Sequence, residues 1–182
     1  GSTFKEVLRW ETSTKVYKPI SGITKAAPVV VTAASHGIPI GWRTKITNVV
    51  GMKEINSSDT YNVVTGVTAD TVTINAINSL AYTDYTSGGV LEYNEPCDLS
   101  ATTARMQIRE KITSTEVLVE LTTINGKILI DNTSKTITLY LSAADTAALT
   151  FTNAVYSLEL VQGIDVIPFI YGNITLTNEI TR

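Results

Sequence analysis

The sequence predicts an all-β protein, an immunoglobulin-like β-sandwich with one short helix, and three observations carry that reading. Thr, Ile and Val fill 65 of the 182 positions, Thr alone 29, and these χ1-stiff side chains suit a pleated, half-buried surface better than a helix. Apolar and polar residues alternate in short runs instead of recurring at helical spacing. Turn formers separate the runs at regular intervals. Charged residues at 17% and apolar residues at 43% exclude a disordered chain, which would carry more charge and fewer β-branched side chains.

Taken in order, Phe4–Trp10 alternates and reads as a first strand, and Thr12-Ser13-Thr14-Lys15 as a turn before a short second strand at Val16-Tyr17. Val29–Thr32, Lys45–Val50 and Tyr61–Val67 are the next strands, with Ser35-His36-Gly37 a turn and 51–56 at most one helical turn. Ala69-Asp70 turns the chain into Thr71–Ile74, and Ser87-Gly88-Gly89 is a turn signal before Val90-Leu91-Glu92-Tyr93. Ala104, Met106 and Ile108 then alternate with Arg105, Gln107 and Arg109, as do Val117, Val119 and Leu121 with their neighbours. Asn125-Gly126 is a strong hairpin signal, followed by strands at Lys127–Ile130 and around Ile137, Leu139 and Leu141. Ser142-Ala143-Ala144-Asp145 resembles a capping box and predicts one to two helical turns reaching Leu149. Tyr156, Leu158 and Leu160 mark another strand, and Val166–Tyr171 and Ile174–Thr177 the last two.

Bulk properties narrow the function. The longest apolar run, residues 26–31, is far short of the ~20 residues that span a bilayer. No basic region followed by an apolar stretch opens the chain, so no signal peptide is expected, and Gly1-Ser2 reads as a tag remnant or the pair left after Met removal. Net charge is −3 and the 14 Lys and Arg are scattered, which disfavours a nucleic-acid partner. Cys97 is the single cysteine, so the fold rests on its core without an internal disulfide.

Two stretches resemble known families. Ile23 to Thr32, His36-Gly37, Val50 to Asn56, Tyr61-Asn62-Val63, Val67 to Thr71 and Tyr82 to Gly89 together resemble the small β-barrel that phage structural proteins share with the first catalytic-cysteine half-domain (FCCH) of ubiquitin-activating enzymes. Pro96 to Arg109, Leu121 to Gly126, Ile137-Thr138-Leu139, Ser142 to Leu149, Val155 to Val161 and Glu179 to Arg182 are similar to a prophage tail module related to the N-terminal domain of upper baseplate proteins. In that family the Pro-x-Asp-Leu segment follows an Arg-Trp strand after a short gap, whereas here Leu8-Arg9-Trp10 lies some eighty residues earlier. The resemblance therefore implies an insertion: residues 1–19 and 94–182 form a discontinuous sandwich, and residues 20–93 an inserted FCCH-like barrel. Such insertion needs only chain ends that are close in space.

Candidate sites are few. His36 is the sole histidine, which leaves His-pair metal sites and Ser-His-Asp triads without partners; it reads as a turn residue. Cys97, beside Pro96, reads as a packed or partly exposed thiol. Glu116 and Glu120 fall on one solvent face of a strand and do not face each other across a cleft, as glycoside hydrolysis requires. Gly88-Gly89 has no following helix and so is no phosphate loop. Sequons at Asn56, Asn132 and Asn173 are expected by chance in so Thr-rich a chain. Trp42, Tyr61, Tyr82 and Tyr85 lie in the barrel segment: either Trp42 and Tyr61 are core with the other two covering it, or the four make a protein or sugar contact, with Trp42, Tyr82 and Tyr85 as the candidate interface residues.

The expected function is that of a non-enzymatic phage virion protein, an accessory tail or baseplate component made in the host cytoplasm. It would act through contacts with other virion proteins, as a homo-oligomer in the particle, without catalytic, metal or cofactor sites and without a membrane partner. A capsid decoration protein and a carbohydrate-binding module touching the host surface are the alternative readings.

Overall fold

A computed structural model describes residues 1–57 and 59–177; Glu179 to Arg182, part of the second resemblance, lie outside the described residues. In chain order the strands are β1 (Phe4–Leu8), β2 (Glu11–Pro19), β3 (Gly22–Ile23), β4 (Val29–Thr32), β5 (Arg43–Val50), β6 (Asn62–Val63), β7 (Gly66–Val67), β8 (Thr71–Ile74), β9 (Ser87–Pro96), β10 (Thr102–Arg109), β11 (Val119–Thr122), β12 (Ile128–Asp131), β13 (Thr136–Leu141), β14 (Asn153–Gln162) and β15 (Asp165–Thr175). A single 3-10 turn spans Lys53–Ile55, and α1 (Ala143–Ala147) sits between β13 and β14. The protein is all-β and sandwich-like, and its contacts divide into two compact units: residues 1–10 with 98–182, and residues 11–97.

The unit of residues 11–97 has two four-stranded antiparallel sheets, ordered β2-β9-β5-β6 and β3-β4-β8-β7. They share corners. Pro19 pairs with Val90 of β9, Ile20 N–H donates to Gly89 C=O at 2.9 Å, and Ser21 N–H donates to Thr32 C=O at 2.9 Å. Thus β2 passes from one sheet into the other as β3. At the opposite corner Val64 N–H donates to Trp42 C=O and Thr65 N–H to Thr73 C=O, both at 2.8 Å, which carries β6 into β7. The sheets therefore close into a small barrel that leaves few open edges. Its wall alternates: Val29 and Val31 of β4, Val72 and Ile74 of β8, Ile46 of β5 and Leu91 of β9 are all fully buried. Gly89, at φ 97°, turns inward at a corner where a Cβ would meet Val49 Cγ2 at 2.7 Å, so no larger residue fits there.

The other unit packs the three-stranded sheet β1-β13-β12 against the four-stranded sheet β11-β10-β14-β15. Ile128, Ile137, Leu139 and Leu141 face Ala104, Met106, Ile108, Leu121, Leu158 and Leu160 in one core. Trp10 closes that core edge-on to Phe169, with centroids 5.9 Å apart. α1 begins with the expected capping box, in which Asp145 N–H donates to Ser142 Oγ at 3.1 Å and the Asp145 carboxylate accepts from Ser142 N–H at 3.0 Å. The helix ends at Ala147 instead of reaching Leu149.

Several local expectations change. The Thr12 to Lys15 turn is a register shift inside β2, which starts at Glu11 and pairs with β9, so residues 11–19 belong to the barrel unit and not to the sandwich. Four polar residues in a row give the ladder no side to bury, and a bulge absorbs them. At the far end the division falls after Cys97, not at 94. Tyr61–Val67 is broken at the sheet corner into β6 and β7, and Gly88-Gly89 is the start of β9, not a turn. Asn125-Gly126 makes no hairpin: β11 pairs with β10 and β12 with β13, so this turn carries the chain between sheets. The Asn125 side chain accepts from Thr122 and Lys127 N–H and donates to Glu120 C=O, supporting a turn without a ladder across it. The two final strands are one, β15, which tolerates Pro168 because it lies at a sheet edge beside a register shift.

Candidate functional site

The densest polar constellation lies on the outer face of the sheet β2-β9-β5-β6. Pairing of Lys45 with Glu92 and of Tyr17 with Glu92 aligns these side chains opposite the buried Leu91 and Tyr93. Tyr61 stands among three cations: Lys15 Nζ lies 4.8 Å, Arg43 Cζ 5.5 Å and Lys45 Nζ 5.7 Å from its ring centroid, within reach of the ring's negative face. Its hydroxyl donates to Glu92 Oε1 at 3.1 Å and accepts from Lys15 Nζ. Glu92 also ion-pairs with Lys15 at 3.4 Å and Lys45 at 3.3 Å. Arg43 pairs with Glu11, which in turn accepts from Asn94 Nδ2 at 3.2 Å. Burial pushes the Glu92 carboxyl up, but hydrogen bonds from Tyr61 and Lys45 outweigh it and leave Glu92 below its ordinary value. Hydrogen bonding to Tyr61 raises Lys15, and bonding to Glu11 raises Arg43. Beside this cluster Tyr17 is 61% exposed. The face joins rigidly held charges to an open aromatic ring, an arrangement suited to binding a partner.

Tyr61, just before β6, is therefore no core residue: its ring and hydroxyl are taken up by Lys15, Arg43, Lys45 and Glu92 on the outer face. The missed signal is cross-strand: Lys15, Arg43 and Lys45 meet Tyr61 only once three strands are in register. Trp42 is 1% exposed and donates from Nε1 to Asn94 C=O at 2.9 Å; as core it presents no surface to a partner, which removes it from the candidate interface. Tyr82 and Tyr85 are half-buried against the same core, and the Tyr85 hydroxyl lies 3.2 Å from Ile20 C=O and 3.0 Å from Gly88 C=O. They cover the barrel.

His36 does shape its turn, between Ser35 at φ 48° and Gly37 at φ 68°, and its buried ring does more. Nδ1 accepts from Ile38 N–H at 3.0 Å, which places the proton on Nε2, 3.0 Å from Thr68 C=O and 3.1 Å from Thr71 C=O. Tyr93 Oη donates to His36 C=O. Cys97 is half-buried. Glu120 accepts from Gln107 at 2.8 Å, while Glu116 precedes β11, so the two glutamates share no strand. Asn56 substitutes for a strand partner by bonding both backbone groups of Val49, and Asn132 accepts from Leu99 N–H. Gly88 pairs with Val49 in the ladder.

Among the described residues no group of three His, Cys, Asp or Glu stands together as a metal site, and no helix is long and apolar enough to cross a membrane. No protein-family model matches the chain, and no curated protein matches it.

Proposed function

We propose that the chain is a non-enzymatic structural component of a phage virion, an accessory tail or baseplate protein that works through protein contacts and is present in repeated copies. The observation that carries this is the outer face of the sheet β1-β13-β12. Val7 and Leu129 flank Thr138 in one cross-strand row, with Tyr140 in the next register beside Lys5. Val7 is 39%, Leu129 57% and Tyr140 39% exposed. Three exposed apolar side chains gathered on one sheet face around Thr138 mark an interaction surface. The two phage-module resemblances support the particle as its setting, and symmetry repeats each virion position. The barrel, with its Tyr17 and Tyr61 face, serves as spacer or second docking surface.

The test is complementation of particles lacking this chain, followed by sedimentation. Wild-type protein is expected to co-sediment with mature particles, and Leu129→Lys to reduce its incorporation at least about tenfold, as loss of an interface anchor does. Equal incorporation of Leu129→Lys would overturn the docking face, and wild-type protein that never co-sediments would overturn the virion reading.

A further inference from the structure

The four-stranded sheet β11-β10-β14-β15 has a recess of about 590 Å³ on its outer face, away from the core and from the apolar patch proposed above. This lies within the range of about 300–1,000 Å³ of small-ligand sites. Register builds it. One row crosses all four strands as Glu120, Gln107, Ser157 and Tyr171, and the next places Arg109, Val155 and Asn173 side by side. Ile112, on the loop after β10, forms the opposite wall and is 88% exposed. Tyr171 is 83% exposed on the edge strand, so its ring is an uncovered flat platform. Gly172 follows it, and a Cβ there would meet the Tyr156 ring at 3.2 Å; the glycine lets that ring back the strand.

The polar groups fall into two kinds. Some are already fixed: Arg109 donates to Ser114 C=O at 2.6 Å and to Gln107 Oε1 at 2.8 Å, Gln107 donates to Glu120 at 2.8 Å, and Arg105 donates to Glu159 at 2.8 Å. Others are unspent: among the described residues the Ser157 hydroxyl, the Asn173 side-chain amide and the Tyr171 hydroxyl have no hydrogen-bond partner within the chain. Arg105 is ion-paired with Glu159, and Arg109 is held by Ser114 C=O and Gln107 Oε1, so neither guanidinium stands free to pair with an anion. A platform of exposed aromatic ring and pre-ordered planar donors and acceptors match one ligand chemistry. The flat C–H face of a pyranose stacks on the ring, while vicinal hydroxyls take the amide, guanidinium and hydroxyl groups. From this we infer that the outer face of β10-β14-β15 is a binding site for a neutral oligosaccharide, with Tyr171 as the stacking platform and Ser157 and Asn173 as its hydroxyl partners. Holding the arginines and Gln107 in place beforehand lowers the ordering cost of binding. The site is independent of the virion reading.

The test uses the full chain and a panel of neutral oligosaccharides (glucose-, galactose-, rhamnose- and N-acetylglucosamine-based), with sialylated and sulfated sugars and an unstructured peptide as comparators, followed by amide chemical shifts. At least one neutral sugar is expected to shift Ser157, Tyr171 and Asn173. Tyr171→Ala should weaken that binding about tenfold, the loss of one aromatic stacking contact. Tyr171→Phe should retain it, and Tyr17→Ala on the barrel should leave it unchanged. Absence of binding across the neutral panel would overturn the inference, as would binding insensitive to Tyr171→Ala, or preference for the acidic sugars or the peptide. Tyr171 is so exposed that its truncation leaves the core intact, and Asn173→Ala, expected to weaken binding while leaving the melting temperature unchanged, provides a second variant.

Discussion

Replacing His36 with Leu tests whether its ring is a hydrogen-bond hub of the barrel. The substitution keeps an apolar side chain of similar bulk in a site that is 2% exposed, so little cavity opens. It removes the acceptor of Ile38 N–H, which is left buried without a partner, and the donor to Thr68 C=O, which belongs to an exposed residue that water can reach. Thr71 C=O keeps a second bond, from Thr68 N–H at 2.9 Å, and is spared. A buried orphaned group costs about 1–3 kcal/mol, which suggests a loss of about 2 kcal/mol. For a unit of this size that lowers the melting temperature by roughly 8–16 °C. The chain has two tryptophans, and only Trp42 lies in the barrel unit. In a Trp10→Phe background, Trp42 fluorescence therefore reports barrel unfolding in urea. A loss below about 1 kcal/mol would refute the hub, since it would mean that the buried Ile38 N–H does not need the imidazole.

Three further outcomes follow from the same geometry. Glu92→Gln removes the charge that Lys15 and Lys45 share and that Tyr61 donates to; a loss of about 1–2 kcal/mol in urea melts of Trp42 is expected. Because the Glu92 value is lowered in the fold, its contribution is present above the ordinary value of 4.5 and fades as pH falls through the lowered one. Ser142→Ala removes the cap of α1 and should cost about 1 kcal/mol. The Lys127 ammonium and the Ser142 hydroxyl hold the Asp145 carboxyl down at about 2, against 3.8 ordinarily, so its contribution is intact above 3.8 and lost as pH falls toward 2; a carboxyl NMR titration reads this, and Lys127→Ala should move the midpoint up.

Sequence alternation read the β class because a half-buried strand writes its period directly into the chain. Ala104, Met106 and Ile108 face the core as the pattern demands, and the capping box at Ser142 forms because it needs only residues three apart. What depends on strand order was not legible. Asn125-Gly126 has the chemistry of a hairpin turn, yet the pairing of β11 and β12 with different partners makes it a link between sheets. The boundary near residue 11 was hidden because a bulge in β2 looks locally like a turn. The cations around Tyr61 and the row from Glu120 to Tyr171 come from segments far apart in sequence, and only register brings them together.

The central claim is that this chain is a working part of a virus particle, and the most direct measurement is immunogold labelling of intact virions with antibody against it. The account predicts label concentrated at the tail tip. Label spread over the head would replace the tail assignment with a capsid decoration role, and accessible particles that carry no label would contradict the claim.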